Sequence, residues 1–220
     1  RINSINWGNK NFAIVRDIWW NNRNTKTYLF NPSNSNVKPK IISDRNYQDI
    51  YSNPGSYVTK RNDYNRSVLL IKNNNLFRIA DGFSKEGQFP YVEKLNINDL
   101  STTTIYKSDY ETKFENIIDF DFEKNELFVR IESKQDFPNY YFRKLSKNNT
   151  LDQITFFKNP FESLKKVSKQ TITYKREDGL DLSGVLYLPP GYDKTKPERK
   201  PMILWAYPRE YKDKNSASQK

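Results

Sequence analysis

One strand-and-hairpin unit occurs three times along the chain, and this internal repeat restricts the possible folds more than any other sequence feature. Each copy has an alternating strand that begins with an aromatic residue, a polar turn rich in Asn, Ser or Thr, and a second short apolar strand. A further apolar strand precedes each hairpin. The hairpins are TYLFNPSNSNVKPKIISD (27–44), PYVEKLNINDLSTTTIYKSD (90–109) and NYYFRKLSKNNTLDQITFFKN (139–159), and the preceding strands are 12–15, 68–71 and 127–131.

Units that recur about every 50 to 60 residues in this form are typical of β-propeller blades, which are small antiparallel sheets that bury their faces against neighbouring blades. About three blades do not close a ring, because propellers usually contain about 4 to 8. We therefore predict a mostly β chain with a partial β-propeller in residues 1–160. An ordinary β-sandwich with similar hairpins is the alternative that the repeat leaves open.

The sequence pattern changes after residue 160. Residues 161–170 are predicted to form a linker, and residues 170–193 hold two alternating strands around Asp178-Gly179, a pair that suits a tight turn with positive φ. A charged loop follows, and then Met202 to Tyr207 form a continuous apolar run between two prolines. Such a run is typical of a strand covered on both faces, and a buried half-helix is the alternative.

The residue types that are absent exclude several kinds of active site. The 220 residues contain no histidine and no cysteine, so neither a Ser-His-Asp triad nor a histidine or thiolate metal site can be built from them alone. The seven glycines include no pair with the spacing of a G-x-S-x-G elbow, and no phosphate-binding glycine loop is present. We expect no cofactor, and we expect the chain by itself to be inactive as a serine hydrolase.

The net charge of +11 raises the possibility of a nucleic-acid partner. The basic residues are scattered among acids, however, and no nucleic-acid-binding module surrounds them, so a solvated Lys-rich surface is the preferred interpretation and no nucleic-acid partner is expected. No apolar run approaches the roughly 20 residues that span a bilayer. The chain begins with Arg1 rather than Met, so targeting information is expected to lie outside these residues.

Paired carboxylates could also support hydrolysis. Asp119, Asp121 and Glu123 alternate along IIDFDFEKNE, which would place them on one face of a strand. Alternation on a solvent-facing strand explains the same pattern and is the interpretation we prefer.

Several segments together resemble a known enzyme family. YKREDGLDLSGVLYLPPGYD (174–193) followed by PMILWAYPREYKDK (201–214) resembles the start of the catalytic domain in the prolyl oligopeptidase family of serine peptidases. It is most similar to the glutamyl endopeptidase branch, whose members carry a similar WAYP-x-E-Y segment. Upstream, DRNYQDIYSNPGS (44–56), FSKEGQFPYVEKLNI (83–97) and KSDYETKFENI (107–117) are similar to propeller segments of that branch.

The resemblance implies a two-domain peptidase in which a propeller covers an α/β-hydrolase. Residues 171–220 would supply the first strands of the hydrolase domain, and the nucleophile, acid and histidine would lie in a catalytic half outside this chain. The substrates implied are peptides or small proteins, with cleavage after Glu as one specificity. An exported or periplasmic location is slightly favoured by the resemblance, and the sequence itself leaves the location open.

One catalytic element of the family falls within the chain. Tyr207 matches a tyrosine whose hydroxyl stabilises the oxyanion of the tetrahedral intermediate, a role that a preorganised donor fits well. The alternative is that Tyr207 only caps a core strand. Many relatives have glycine where Arg209 stands, and this difference could alter how the loop presents its donors.

A peptidase that cleaves after Glu must also bind an anionic side chain, and arginine grips a carboxylate best. Arg61, Arg66 and Arg78 are the first candidates to test, with surface ion pairing as the alternative for each. A non-catalytic propeller-like binding module remains the second hypothesis for the whole chain.

Overall fold

The computed structural model describes residues 1–207 and 209–219. Strands make up 47% of the protein and helices 5%, and the strands form open antiparallel sheets, so the prediction of a mostly β chain is confirmed. Pro208 and Lys220, which belong to the predicted segment 171–220, lie outside the described residues.

The first repeat unit folds as a four-stranded antiparallel sheet in which each strand pairs with the next along the chain. Asparagines build its turns, because their side chains bond the backbone locally. Asn9 Oδ1, for example, accepts hydrogen bonds from the backbone amides of Asn11 and Phe12 at 2.8 and 3.1 Å. The strands are β1 (Ile2–Asn9), β2 (Phe12–Trp19), β3 (Asn24–Phe30) and β4 (Lys40–Asn46).

The second unit contains the predicted hairpin 90–109, but the strand that pairs with it is β9 rather than the predicted 68–71. Asn73 and Asn74 both adopt left-handed φ, at 49° and 57°, and so turn the chain back before this strand. The sheet has the order β11-β10-β9-β5, with β8 also on β9, while β6 and β7 pair separately. The strands are β5 (Ser56–Tyr57), β6 (Thr59–Arg61), β7 (Ser67–Leu69), β8 (Ile71–Lys72), β9 (Asn75–Ala80), β10 (Tyr91–Asn96) and β11 (Thr102–Lys107).

The third unit is again a four-stranded antiparallel sheet with its strands in chain order. A short 3-10 turn (Leu145–Lys147) ends its third strand, and Asn148 and Asn149 follow in left-handed conformations. The three repeats predicted from the sequence are therefore three sheets. The strands of the third are β12 (Lys113–Asp121), β13 (Glu126–Ser133), β14 (Asn139–Lys144) and β15 (Thr150–Gln153).

The three sheets bury their apolar faces against one another in chain order. One core cluster joins the first sheet to the second, and the other joins the second sheet to the third. Neighbouring residues Leu76 and Phe77 of β9 point into different clusters, so the second sheet is covered on both faces. The first cluster contains Ile14, Leu29, Leu69, Leu76, Leu95 and Ile97, and the second includes Phe77, Val92, Ile117, Phe120, Leu127 and Val129.

A buried ionic network reinforces the contact between the second and third sheets. Glu115 on β12 accepts hydrogen bonds from Arg143 on β14 at 2.7 and 2.8 Å, and from the Tyr106 hydroxyl on β11 at 2.6 Å. Arg143 also donates to the Tyr110 hydroxyl at 3.0 Å. Burial and the adjacent Glu115 carboxylate raise the pKa of Tyr106, so this phenol stays protonated and donates.

The predicted hairpin of residues 170–193 is present as two paired strands, and Gly179 holds a φ of 82° in its turn. No residue of β17 is fully buried, because alternate residues are only half-covered. The first strand begins inside the predicted linker 161–170, and the rest of that linker contains a 3-10 turn (Glu162–Leu164). The strands are β16 (Ser168–Lys175) and β17 (Asp181–Leu188).

The strand predicted at 202–207 does not form. These residues are irregular and exposed, with Ile203 at 96% and Trp205 at 86% of full exposure. A strand needs a hydrogen-bonding neighbour, and no described strand lies alongside this segment. A one-turn helix, α1 (Lys214–Ala217), follows. No helix among residues 1–207 and 209–219 has the length and apolarity to cross a membrane.

We predict that Glu115→Ala lowers the free energy of unfolding by about 3–5 kcal/mol, because Arg143 would be left buried without a counter-charge. Equilibrium urea unfolding measures the change. The matched control is Asp152→Ala, which removes an exposed ion pair with Lys144 in the same sheet and should cost under about 1 kcal/mol. Equal losses in the two variants would contradict the role assigned to the network.

Candidate functional site

The segment after Tyr207 folds back onto the loop that follows β4. The side chain of Gln48 donates to the backbone oxygen of Glu210 and accepts from the backbone amide of Lys212 at 3.2 Å. Asn46 Nδ2 donates to Asp213 Oδ2 at 2.6 Å. Two of the segments that carry the family resemblance, DRNYQDI and PREYKDK, are therefore in direct contact.

The far end of the same segment is also held. Gln219 Oε1 accepts from the backbone amide of Ile50 at 2.7 Å, and its Nε2 donates to Asp49 Oδ1 at 2.6 Å. Asp213 caps α1 by accepting from the backbone amide of Ser216 at 2.8 Å. Residues 209–219 are thus fastened to residues 46–50 at both ends, and we call them the docked segment.

Arg23 is the buried charge at the centre of this contact. Its side chain is 2% exposed, and its backbone takes a left-handed φ of 57° in the turn between β2 and β3. The guanidinium lies 3.9 Å from the centroid of the Trp20 ring, donates to the Trp20 backbone oxygen at 2.6 Å, and pairs with Glu210 at 3.2 Å. A buried guanidinium needs such a counter-charge, so the docked segment supplies what the first sheet lacks.

The electrostatics of the pair favour the ionised carboxylate. Lys212, bonded to Glu210 at 2.7 Å, and then Arg23 lower the pKa of the Glu210 carboxyl below its ordinary value. The ion pair between Arg23 and Glu210 is therefore fully formed near neutral pH.

One residue separates Tyr207 from the docked segment, and the side chain of Tyr207 is 84% exposed. No strand is present at 202–207 for it to cap in this structure, and the capping role predicted as the alternative stays open. Arg209 stands where many relatives have glycine, and its guanidinium donates to the hydroxyl of Tyr211, two residues along the chain, at 3.4 Å. The structure therefore gives Tyr207 an accessible position, and the assignment of its hydroxyl as an oxyanion donor stays a prediction.

A groove of 460 Å³ lies between the docked segment and the first sheet. Tyr47 also lines a second cavity of 310 Å³, which lies between the first sheet and residues 53–59. The groove and this cavity therefore adjoin at Tyr47. The groove is lined by residues that include Trp20, Arg23, Tyr47, Gln48, Glu210 and Tyr211.

The three arginines proposed from the sequence as carboxylate ligands do not line this groove. Arg78 is buried and paired with Glu93, so its charge is already compensated. Arg61 and Arg66 flank the exposed turn between β6 and β7, where Arg61 donates to the Asn65 backbone oxygen at 3.0 Å. Arg23 could not be identified from the sequence, because its partner Glu210 is far along the chain.

The alternating carboxylates do not form a catalytic pair. Asp121 pairs with Lys124 at 3.4 Å, and Glu123 pairs with Lys72. Asp119 accepts from the backbone amide of Phe120 at 2.8 Å. Each of the three carboxylates thus has its own separate contact.

Comparison with known proteins gives relatives that match the whole chain. It is 32% identical over 234 residues to a probable glutamyl endopeptidase, chloroplastic, of Arabidopsis thaliana, and 31% identical over 233 residues to the protein of the same name in Oryza sativa subsp. japonica. Both alignments cover 100% of this chain, which spans only 24% and 25% of the length of those proteins. No protein-family model matches the chain.

Two solved structures of the AtxE2 isopeptidase are also similar, one a variant with Astexin3-dC4 bound and one the apo form. Each has a TM-score of 0.44, with 11% and 10% sequence identity. They match 87% and 86% of this chain and 26% of their own chains. A TM-score below 0.5 does not establish a common fold. The arrangement of the three sheets is therefore described from their own packing alone.

We predict that the docked segment is released as the pH falls. The pKa of Glu210 is lower in the folded chain than in an unfolded one. The stabilisation that the Glu210 carboxylate gives to the docked segment is therefore complete above about pH 4.3, the ordinary pKa of glutamate, and is lost as the pH falls through the lower pKa of the folded chain. Hydrogen exchange of the Lys212 and Ile50 amides, expressed as protection factors between about pH 7 and pH 3, follows the release.

Two variants control this measurement. Glu210→Gln should show low protection of both amides already at neutral pH, whereas Glu198→Gln, which removes an exposed pair with Lys200, should behave as the unmodified chain does. Unchanged protection in Glu210→Gln at neutral pH would show that the ion pair with Arg23 does not hold the segment.

Proposed function

We propose that this chain forms part of a serine peptidase of the prolyl oligopeptidase type, because its sequence matches those of glutamyl endopeptidases. The observation that carries the proposal is the match to those peptidases over all of the chain. In this account residues 1–160 are propeller blades, residues 161–170 link the domains, and residues 171–220 begin the hydrolase domain.

The packing of the three sheets supports the propeller assignment. Propeller blades are small antiparallel sheets that stack face to face around an axis, so an inner blade is covered on both sides. The second sheet is covered in this way, by the first sheet on one face and by the third on the other. A β-sandwich of two sheets would leave each sheet with one outer face in solvent.

The apolar residues 202–207 support the assignment of a hydrolase start. A run of this composition that is exposed in water is an aggregation liability, and soluble proteins cover such runs. In an α/β-hydrolase the run would be an inner strand between neighbouring strands, with helices on both faces. The half-buried face of β17, carrying Leu182, Leu186 and Leu188, would be covered by the same domain.

The catalytic triad has to be supplied by residues beyond this chain, because its 220 residues contain no histidine. What the chain would contribute to catalysis is the Tyr207 hydroxyl, which donates to the oxyanion that forms when the nucleophile attacks the scissile carbonyl. The docked segment, fixed by the pair between Arg23 and Glu210, would hold the backbone on the carboxyl side of that tyrosine. Peptides or small proteins are the proposed substrates, cleaved after Glu.

The proposal is tested on the complete product of the gene that encodes this chain. Purified protein is incubated with paired peptides that contain either Glu or Gln at one position, and the products are identified by mass spectrometry. Cleavage after Glu that is abolished by a serine-directed fluorophosphonate is the expected result. A complete product that neither hydrolyses peptides nor reacts with the fluorophosphonate would favour a non-catalytic binding module instead.

We predict that Tyr207→Phe lowers kcat of the complete peptidase by about 100-fold or more with little change in KM, because loss of one oxyanion donor acts on the transition state. Tyr174→Phe is the matched control, since this tyrosine is exposed on β16. An unchanged kcat in Tyr207→Phe would remove the tyrosine from the mechanism and leave the family assignment intact.

A further inference from the structure

One face of the first sheet changes from apolar to polar along its strands. Ile14 and Leu29 are directly paired on this face and are buried in the core. The next row of residues on the same face lies beside this apolar pair, and it is polar on all four strands. In that row Arg16 of β2 is opposite Ser4 of β1 and Thr27 of β3, and Thr27 is opposite Ser43 of β4.

The polar row forms the floor of the 310 Å³ cavity, and residues 53–59 form the opposite wall. Gly55 fixes that wall close to β9, because a Cβ atom there would lie 2.0 Å from the backbone oxygen of Ile79. The two charged residues that line this cavity, Arg16 and Arg45, are both cationic. Arg16, Arg45 and Tyr47 also line an adjoining cavity of 650 Å³ together with Asp81 and Asp119, and neither aspartate lines the cavity of 310 Å³.

Arg45 makes no direct ion pair with a carboxylate in the described part of the chain. Its guanidinium donates to the backbone oxygens of Asn46 and Asp49 at 3.1 and 2.8 Å, and to the side-chain oxygen of Asn53 at 2.9 Å, all of which are neutral acceptors. Burial lowers the pKa of Arg45, the nearby Asp49 offsets part of that shift, and Arg16 lowers it again. An arginine remains charged in spite of such shifts, so an anion near it would be stabilised.

Two residues that line the cavity have side-chain hydrogen-bond donors without an acceptor in the described part of the chain. Arg16 has neither an ion-pair nor a hydrogen-bond partner for its side chain among residues 1–207 and 209–219. The Tyr47 hydroxyl is buried, and within the described part of the chain it has no hydrogen-bond partner. A buried hydroxyl without a partner destabilises the folded chain, and a ligand that accepts a hydrogen bond from it would remove that cost.

We propose that this cavity binds a carboxylate of a peptide, held by Arg16 and Arg45 with the Tyr47 hydroxyl as a third donor. A carboxylate is a planar acceptor with two oxygens, which matches two guanidinium groups and a phenol. The inference rests on the proposed function only in taking the ligand to be a peptide. The carboxylate is that of an acidic side chain or of a peptide carboxyl terminus, since both present the same group.

The position of the cavity gives this binding a consequence for specificity. Tyr47 lines both the cavity and the groove under the docked segment, so a bound carboxylate would lie beside the segment that follows Tyr207. A peptide anchored there would be positioned by its charge as well as by its backbone. The cavity would thereby select anionic peptides before any bond is broken.

Binding is tested by isothermal titration calorimetry on the 220-residue chain with three blocked tripeptides. The first carries a Glu side chain and an amidated terminus, the second a Gln side chain and a free carboxyl terminus, and the third a Gln side chain and an amidated terminus. We expect the third to bind about 10-fold or more weakly than at least one of the others, and the stronger of the first two identifies the source of the carboxylate.

Variants locate the site. Arg16→Gln should weaken binding of the preferred peptide by about 10-fold, and Tyr47→Phe should weaken it by a smaller factor. Arg199→Gln is the control, because this exposed arginine lines neither the cavity nor the groove, and it should leave the affinity unchanged. Circular dichroism checks that each variant keeps its strands.

Two results would overturn the inference. Equal affinity for all three peptides would show that no carboxylate is recognised, and equal weakening by Arg16→Gln and Arg199→Gln would show only a diffuse effect of net charge. Neither result depends on peptide hydrolysis, so failure here is distinguishable from failure of the proposed peptidase, which is measured on the complete gene product.

Discussion

An open antiparallel sheet can remove its apolar face from water only by packing against another layer, and the rest of this structure follows from that constraint. The first sheet covers the second and the second covers the third, with the bonded set of Tyr106, Glu115 and Arg143 fixing the second contact. Residues 202–207 are as apolar as the core and yet exposed, because no described layer reaches them. By the same rule, this segment would leave water only if a further layer packed against it.

Most of the fold could be predicted from the sequence where the signal is local. Alternation of apolar residues located the three repeated sheets, and Asp178-Gly179 located the hairpin turn, because side-chain period and positive φ are properties of a few adjacent residues. The pair Asn73-Asn74 carries the same kind of local turn signal, and it precedes the strand at 75–80, which pairs with the hairpin in place of the predicted 68–71. The strand predicted at 202–207 failed for a different reason: strand composition does not make a strand without a neighbour.

The site was less predictable, because its contacts join residues far apart in the chain. Arg23 and Glu210 gave no shared pattern in the sequence, and Arg78, which looked available for a substrate, is paired with Glu93 across two adjacent strands. Tyr207 was found through a short motif, whereas Arg16 and Arg45 became visible only when the register of four strands placed them on one face. Together these contacts describe a first sheet that holds residues 209–219, close along the chain to Tyr207.

The proposed function depends on residues 202–207 being a covered strand in the complete gene product. The most direct measurement is amide hydrogen exchange of these residues, compared between the 220-residue chain and the complete gene product. The account predicts exchange close to that of an unstructured peptide in the chain alone, and protection comparable to that of the core strands in the complete product. Fast exchange in both proteins, or strong protection in the isolated chain, would contradict it.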